Sequence, residues 1–121
     1  MKQYLIDTNL IVDVLRGYQE SAKLVNSLPN ANISIVSWYE LIEGVDNLKQ
    51  QKALEDLLSS YDMVDLSESI AKSALNLMLK YNLSHSLHHA DALIAATCLE
   101  HGYFLCTRNI KHFQYIEGLK L

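Results

Sequence analysis

Tyr4-Leu5-Ile6-Asp7-Thr8-Asn9-Leu10-Ile11-Val12-Asp13-Val14-Leu15 is the stretch whose reading decides the fold. Three apolar residues, then a carboxylate, a hydroxyl and an amide, then a second apolar run describe a buried strand that opens at its carboxyl end into a helix. In open α/β sheets ligands bind outside that end of the strands. Asp7 therefore faces a crevice rather than the core. Thr8 and Asn9 are short polar groups able to bond it, a ligand, or the first turn of the helix.

Outward from this stretch the chain keeps alternating. A helical piece from about Glu20 to Leu28, with Ala22, Val25 and Leu28 apolar, stops at Pro29, and Asn30-Ala31-Asn32 has the chemistry of a turn. Ile33-Ser34-Ile35-Val36 reads as a second strand, with Ser37 as N-cap of a helix beginning at Trp38. On that helix Leu41, Val45 and Leu48 share one face, and Glu40, Glu43, Gly44 and Asn47 form a second stripe. A further helix is expected from Lys49 to Ser60, then a short strand, Met63-Val64-Asp65-Leu66. Ser67 caps the next helix, whose buried face is read as Ile70, Ala71, Ala74, Leu75, Met78 and Tyr81.

Asn82 to His89 reads as a polar linker. Ala90 to His101 is an Ala-rich apolar helix ended by Gly102. At 3.6 residues per turn Glu100 lies about 180° around the axis from Asp91, which turns Asp91 inward, where an unpaired carboxylate is costly. Tyr103-Phe104-Leu105-Cys106 is the fourth strand, with Thr107-Arg108-Asn109 at its carboxyl end, and the tail from Gln114 to Leu121 is read as an edge strand. The alternation specifies a single α/β domain, residues 1–121, with a mainly parallel sheet of four or five strands between helical layers.

Composition sets limits on function. Half of the 121 residues are hydrophobic and 20% are charged, which describes a core-forming chain and excludes disorder. There is no apolar span of membrane length, and Met1-Lys2-Gln3 leads into the strand without a secretory segment, so the expected location is cytoplasmic. Cys98 and Cys106 lie in apolar runs and read as free buried thiols. Ten Lys and Arg against fourteen Asp and Glu give a formal charge of −4, the wrong sign for holding nucleic acid by bulk electrostatics. A polyanionic substrate would need a bound cation.

The sequence also supplies the ligands for one. Parallel order puts the strand ends at Asp7, Ser37 and Thr107 on one rim, with Glu40 a turn beyond and Asp91 approaching from the side. Three such carboxylates repel unless protonated or joined by a hard divalent ion, for which Mg²⁺ or Mn²⁺ is suited. No Cys-based or H-E-x-x-H pattern points to zinc. Each acid has a plainer reading: Asp7 as a helix cap, Glu40 as a first-turn acid with Glu43 as rival ligand, Asp13 as a solvated charge, and His85, His88 and His89 as a polar loop.

Asp7-Thr8-Asn9 after a strand, Ser37-x-x-Glu40-Leu41-x-x-Gly44, Asp91-Ala92-Leu93-Ile94-Ala95-Ala96, and Thr107-Arg108-Asn109 with Phe113 together resemble a PIN domain. The order spans essentially the whole chain, and its compact length is like that of VapC toxins. The resemblance implies a three-layer α/β/α fold and a Mg²⁺- or Mn²⁺-dependent endoribonuclease, with Asp7, Glu40 and Asp91 as catalytic and metal-binding acids. It also implies an RNA substrate, a homodimer and a small VapB-like, DNA-binding antitoxin.

The family commonly places a fourth acid where Asn109 or His112 stands here, so one ion rather than two is expected. Asn109 is then assigned to orienting a water and His112 to a phosphate. Thr8 and Asn9 are assigned to fixing the carboxylates, and Arg16, Arg108 and Lys111 to backbone phosphates. Two other function classes stay open: a PIN-fold interaction module without catalysis, for which the missing acid argues, and a phosphatase with Asp7 as nucleophile. The latter usually requires a second Asp where Asn9 stands.

Overall fold

The computed structural model describes residues 2–121. Its elements run β1 (Tyr4–Ile6), α1 (Thr8–Leu15), α2 (Gln19–Ser27), β2 (Ala31–Ser34), α3 (Ile35–Glu43) and α4 (Leu48–Leu58). Then follow β3 (Asp62–Val64), α5 (Glu68–His85), α6 (His89–His101) and β4 (Phe104–Cys106). The four strands form one parallel sheet in the order β3-β2-β1-β4, with Leu5 opposite Asn32 on one side and Leu105 on the other.

That order explains the layers. Going from β1 to β2 to β3 the chain moves one way along the sheet, and right-handed crossovers put α1 to α4 on one face. It then crosses back to the far side of β1, which puts α5 and α6 on the other face. Successive strand residues accordingly enter different cores. Ile6 packs with Leu10, Ile11, Val25, Ile33, Leu41, Leu54 and Leu58. Leu5 packs with Ile70, Ala74, Tyr81, Ile94, Ala96, Leu105 and Phe113. The reversal of direction lies between β1 and β4, and this is the switch point at which such sheets bind ligands.

Several local readings hold. Ser67 caps α5, accepting from the Ile70 N–H at 3.1 Å, and Gly102, at φ 73°, ends α6. α6 is buried almost all round, with Ala92, Ile94, Ala95, Ala96 and Thr97 at 0% exposure. The Thr97 hydroxyl donates to the Leu93 carbonyl at 2.7 Å, so its burial is satisfied. Burial pushes the Cys98 thiol up to about 12, consistent with an inert packing residue, whereas Cys106 is only half-buried.

Other boundaries differ. β2 ends at Ser34, and Ser34, not Ser37, caps α3, accepting from the Val36 N–H at 3.1 Å. Ile33-Ser34-Ile35-Val36 offers no alternation to show where the strand stops, and Ile35 and Val36 belong to the helix. α3 ends at Glu43, so Val45 and Leu48 do not extend its face, and Asn47 instead caps α4 through the Gln50 N–H. α5 continues through Asn82 to His85, where a linker was expected, because polar residues on its outer face do not interrupt a solvent-facing helix. Ala71 and Leu75 face outward. The tail forms no strand: after a 3₁₀ turn at Ile110–His112 it makes a single bridge, Lys120 to Phe104.

Candidate active site

Asp7 follows β1, is 3% exposed, and occupies the N-cap position of α1 without making a capping bond. Its carboxylate instead accepts from the Thr107 hydroxyl at 2.8 Å, across the switch point from the end of β4. Thr107 is fixed in turn by the Asn109 N–H, which donates to its oxygen at 2.9 Å. Asp7 thus stands at the cap position of α1 while its carboxylate is bonded across the switch point to Thr107.

Burial raises the Asp7 pKa. The Thr107 bond and the Thr8 amide favour its charged form, while the charges of Asp91 and Glu40 push further up. Both other acids are thus close enough to act on Asp7. Glu40 is held from α1: Thr8 Oγ1 donates to its Oε1 at 2.9 Å. The Thr8 oxygen is also 2.7 Å from Ser37 Oγ. With the Thr8 proton committed to Glu40, Ser37 is the donor, and a Ser37–Thr8–Glu40 relay runs from the buried first turn of α3 to the rim. Glu43, an exposed residue about five-sixths of a turn further on, has no comparable tie among the described residues.

Asp91 lies in the first turn of α6 and is half-buried rather than turned into the core. Glu100 on the opposite side is exposed, as the helical geometry requires, but the helix start reaches the rim before it enters the packed interior. Burial raises the Asp91 pKa against the pull of His112 and His88. His112 Nδ1 stands 4.0 Å from Asp91 Oδ2. His88 caps α6, its Nδ1 accepting from the Ala90 N–H at 3.2 Å.

The remaining residues divide. Arg108 is ion-paired with Asp13, whose side chain is only 14% exposed, so Asp13 is not the solvated charge expected of it. Asn9, Arg16, Arg108 and Asn109 line one polar recess with Asp13, while Lys111 and His112 line another beside Asp91. Ser37 and Thr107, which the sequence puts on the rim and in the motifs without a role, are the hydroxyls that tie Glu40, through Thr8, and Asp7.

The donor set is all hard oxygen: the buried Asp7 carboxylate after β1, with Glu40 from α3 and Asp91 from α6, and among the described residues no cationic side chain is bonded to Asp7. That chemistry fits a divalent ion such as Mg²⁺ or Mn²⁺ better than a soft metal. Among the described residues no three His, Cys, Asp or Glu side chains are gathered closely enough to ligate one ion as they stand. Thr107 bonds one oxygen of Asp7, Oδ2, and Thr8 bonds one oxygen of Glu40, Oε1.

Comparison with known proteins agrees with this architecture. Residues 4–118 match the PIN domain model. Ribonuclease VapC19 of Mycobacterium tuberculosis is 34% identical over 121 residues, covering 96% of each chain. Ribonuclease VapC1 of Rickettsia felis is 31% identical, covering 97% of this chain and 92% of its own. Among solved structures, a toxin-antitoxin complex from Klebsiella pneumoniae superimposes with a TM-score of 0.84 at 29% identity, covering 98% of this chain and 97% of that one. By sequence and by fold, the chain belongs to the PIN domain family, among its VapC-like members.

Proposed function

We propose that this protein is a divalent-metal-dependent endoribonuclease that hydrolyses RNA phosphodiester bonds and serves as the toxin of a toxin-antitoxin pair. The observation that carries the reading is the buried Asp7 carboxyl at the switch point, its proton affinity raised by burial and by Glu40 and Asp91. Asp7, Glu40 and Asp91 would hold Mg²⁺ or Mn²⁺, which when bound supplies charge neutralisation at the phosphate and acidifies water.

The chain's own residues do the positioning. Thr107 and the Thr8 amide keep Asp7 in one orientation, and the Ser37–Thr8 relay does the same for Glu40. Arg16 and Arg108 line the polar recess beside the site and take backbone phosphates, Arg108 after exchanging its Asp13 partner. Lys111 and His112 do so on the Asp91 side. Asn109, whose amide is bonded to Thr107, can direct its side chain toward an attacking water.

The partner is proposed to be a small VapB-like, DNA-binding antitoxin, a reading supported by the toxin-antitoxin complex of Klebsiella pneumoniae that the chain resembles. The homodimer is supported by α5, which exposes Leu75 (57%), Leu79 (75%) and Leu83 (99%) at successive turns of one face. A cytoplasmic location accords with an RNA substrate, and no helix among the described residues is long and apolar enough to cross a membrane.

The rival reading, a PIN-fold interaction module without catalysis, rests on the neutral Asn109 and His112 and on the open arrangement of the acids. Cleavage of RNA by wild type and by Asp7→Asn, with Mg²⁺, Mn²⁺ or EDTA, decides between them. Divalent-dependent cleavage lost in the variant is the expected result. Cleavage equal in the two proteins, or absent from both, overturns the nuclease.

A further inference from the structure

Three recesses of different chemistry are lined by residues of the candidate site. One, between α1, α3 and α4, carries Thr8 and Glu40 on otherwise largely apolar walls from Val12, Leu41, Val45 and Leu54. The second is the polar recess of Arg16 and Arg108. The third lies beyond Asp91, has a volume of about 240 Å³, and is walled by rings: His85, His88, His112 and Tyr115, with Asp91 and Lys111 between them.

Two of these rings, His85 and Tyr115, are held by stacking. His85, an exposed residue at the end of α5, stacks on Tyr115 with centroids 3.9 Å apart and planes 7° apart. Tyr81 meets both edge-on, at 5.0 Å from Tyr115 and 5.9 Å from His85. Tyr81 is itself buried, and its hydroxyl accepts from the Glu117 N–H at 3.2 Å, tying the stack to the tail. The His85 Nδ1 is 2.8 Å from the Ser84 hydroxyl. An exposed imidazole is thus held flat beside a candidate catalytic acid, where a free side chain would sample several rotamers.

We infer that this recess is a nucleobase subsite: it receives the base of one nucleotide adjacent to the scissile phosphate, stacked on the His85 ring, with Lys111 meeting the neighbouring backbone. The inference rests on the ribonuclease reading above and deepens it to a substrate class. A base enters such a recess only when it is unstacked, and in a duplex the base faces are occupied and only edges are presented. The preferred substrate is therefore an unpaired segment or loop. Stacking on a preset ring is sequence-tolerant but requires a base, whereas phosphate contacts do not.

The test uses the full chain, a short single-stranded RNA whose cleavage position has been mapped, and copies of that RNA each lacking one base near the cut. Removing the base at one flanking position is expected to lower kcat/KM by about 5- to 150-fold, the equivalent of about 1–3 kcal/mol for one stacked base. His85→Ala is expected to lower cleavage of the intact RNA similarly and to make the enzyme indifferent to the missing base. No effect of a missing base at any flanking position overturns the subsite. So does a His85→Ala penalty that multiplies with the missing base instead of merging with it. The same RNAs are also bound to the Asp7→Asn protein and followed by fluorescence anisotropy. If the wild type cleaves nothing, the nuclease reading fails on its own, and base-dependent binding lost in Asp7→Asn/His85→Ala still decides whether the recess takes a base.

Discussion

The Thr8 hydroxyl of α1 lies 2.9 Å from the Glu40 carboxylate of α3 and 2.7 Å from the Ser37 hydroxyl beneath it, so a buried side chain aims an otherwise exposed acid. Thr8→Val removes the acceptor for Ser37 and the donor for Glu40 together. It is expected to cost about 1–3 kcal/mol in chemical denaturation, because Ser37 is left buried without its partner. RNA cleavage should fall by roughly 10- to 100-fold, the range seen when a group orienting a metal ligand is lost. Thr8→Ser, which keeps both bonds, should retain most of each; equal losses in the two variants would show that the methyl group matters and the relay does not.

Asp7 brings stability and function into conflict. Folding buries its charge near two other acids, so Asp7→Asn is expected to raise Tm in EDTA at neutral pH, by roughly 2–8 °C for each 1 kcal/mol relieved. In Mg²⁺ the order should narrow or reverse, because only the wild type is stabilised by binding the ion. A variant less stable than wild type in EDTA would mean that the Thr107 bond outweighs the burial of the charge.

The raised pKa values give a pH dependence of definite sign. For Asp7 and Asp91 the folded value stands above the ordinary 3.8, so in metal-free protein their contribution to stability is present below that pH and is lost as the pH rises through the folded value. A cation must displace the same protons. Mg²⁺ affinity, followed by calorimetry, is therefore expected to increase with pH through a range above that of an exposed carboxylate, and Asp91→Asn should reduce the steepness.

Arg108 is already paired with Asp13, so any phosphate must compete for it. Asp13→Asn should free the guanidinium and tighten RNA binding several-fold, at a stability cost of about 1 kcal/mol or less because the Arg end of the pair is exposed. Arg108→Ala should weaken binding and reduce the salt slope by about 1. An unchanged slope would remove Arg108 from the RNA interface.

The proposed dimer predicts the behaviour of α5. Leu79→Glu places a charge in the middle of the exposed leucine stripe and is expected to yield monomers by light scattering with the far-ultraviolet circular dichroism unchanged. Substitution at Leu48, which is 66% exposed on α4, serves as the control and should leave the oligomeric state alone.

Much of the fold is written locally. Short apolar runs followed by polar residues mark β1 and β4, 3.6-residue periodicity marks α5, an Ala-rich apolar run marks α6, and Ser67 and Gly102 mark ends whose geometry only such residues supply. Where two readings share one composition, as at Ile35-Val36 or in the polar start of Asn82–His85, local pattern fails by one turn. Hydrogen bonding settles which is helix: Ser34 offers its hydroxyl to Val36, and α5 runs on to His85.

The sequence by itself determined the order of strands and helices, hence an α/β sheet with Asp7 at an open strand end, because backbone geometry imposes those periods residue by residue. Only the tertiary structure decided what each polar group meets. Placing β4 beside β1 brings Thr107 to Asp7 across 100 positions, and the packing of α1 on α3 hands Glu40 to Thr8. These pairings follow from strand order and from the faces on which the crossovers land. Neighbours along the chain do not encode either, since a side chain's partner in space is set by how whole elements stack.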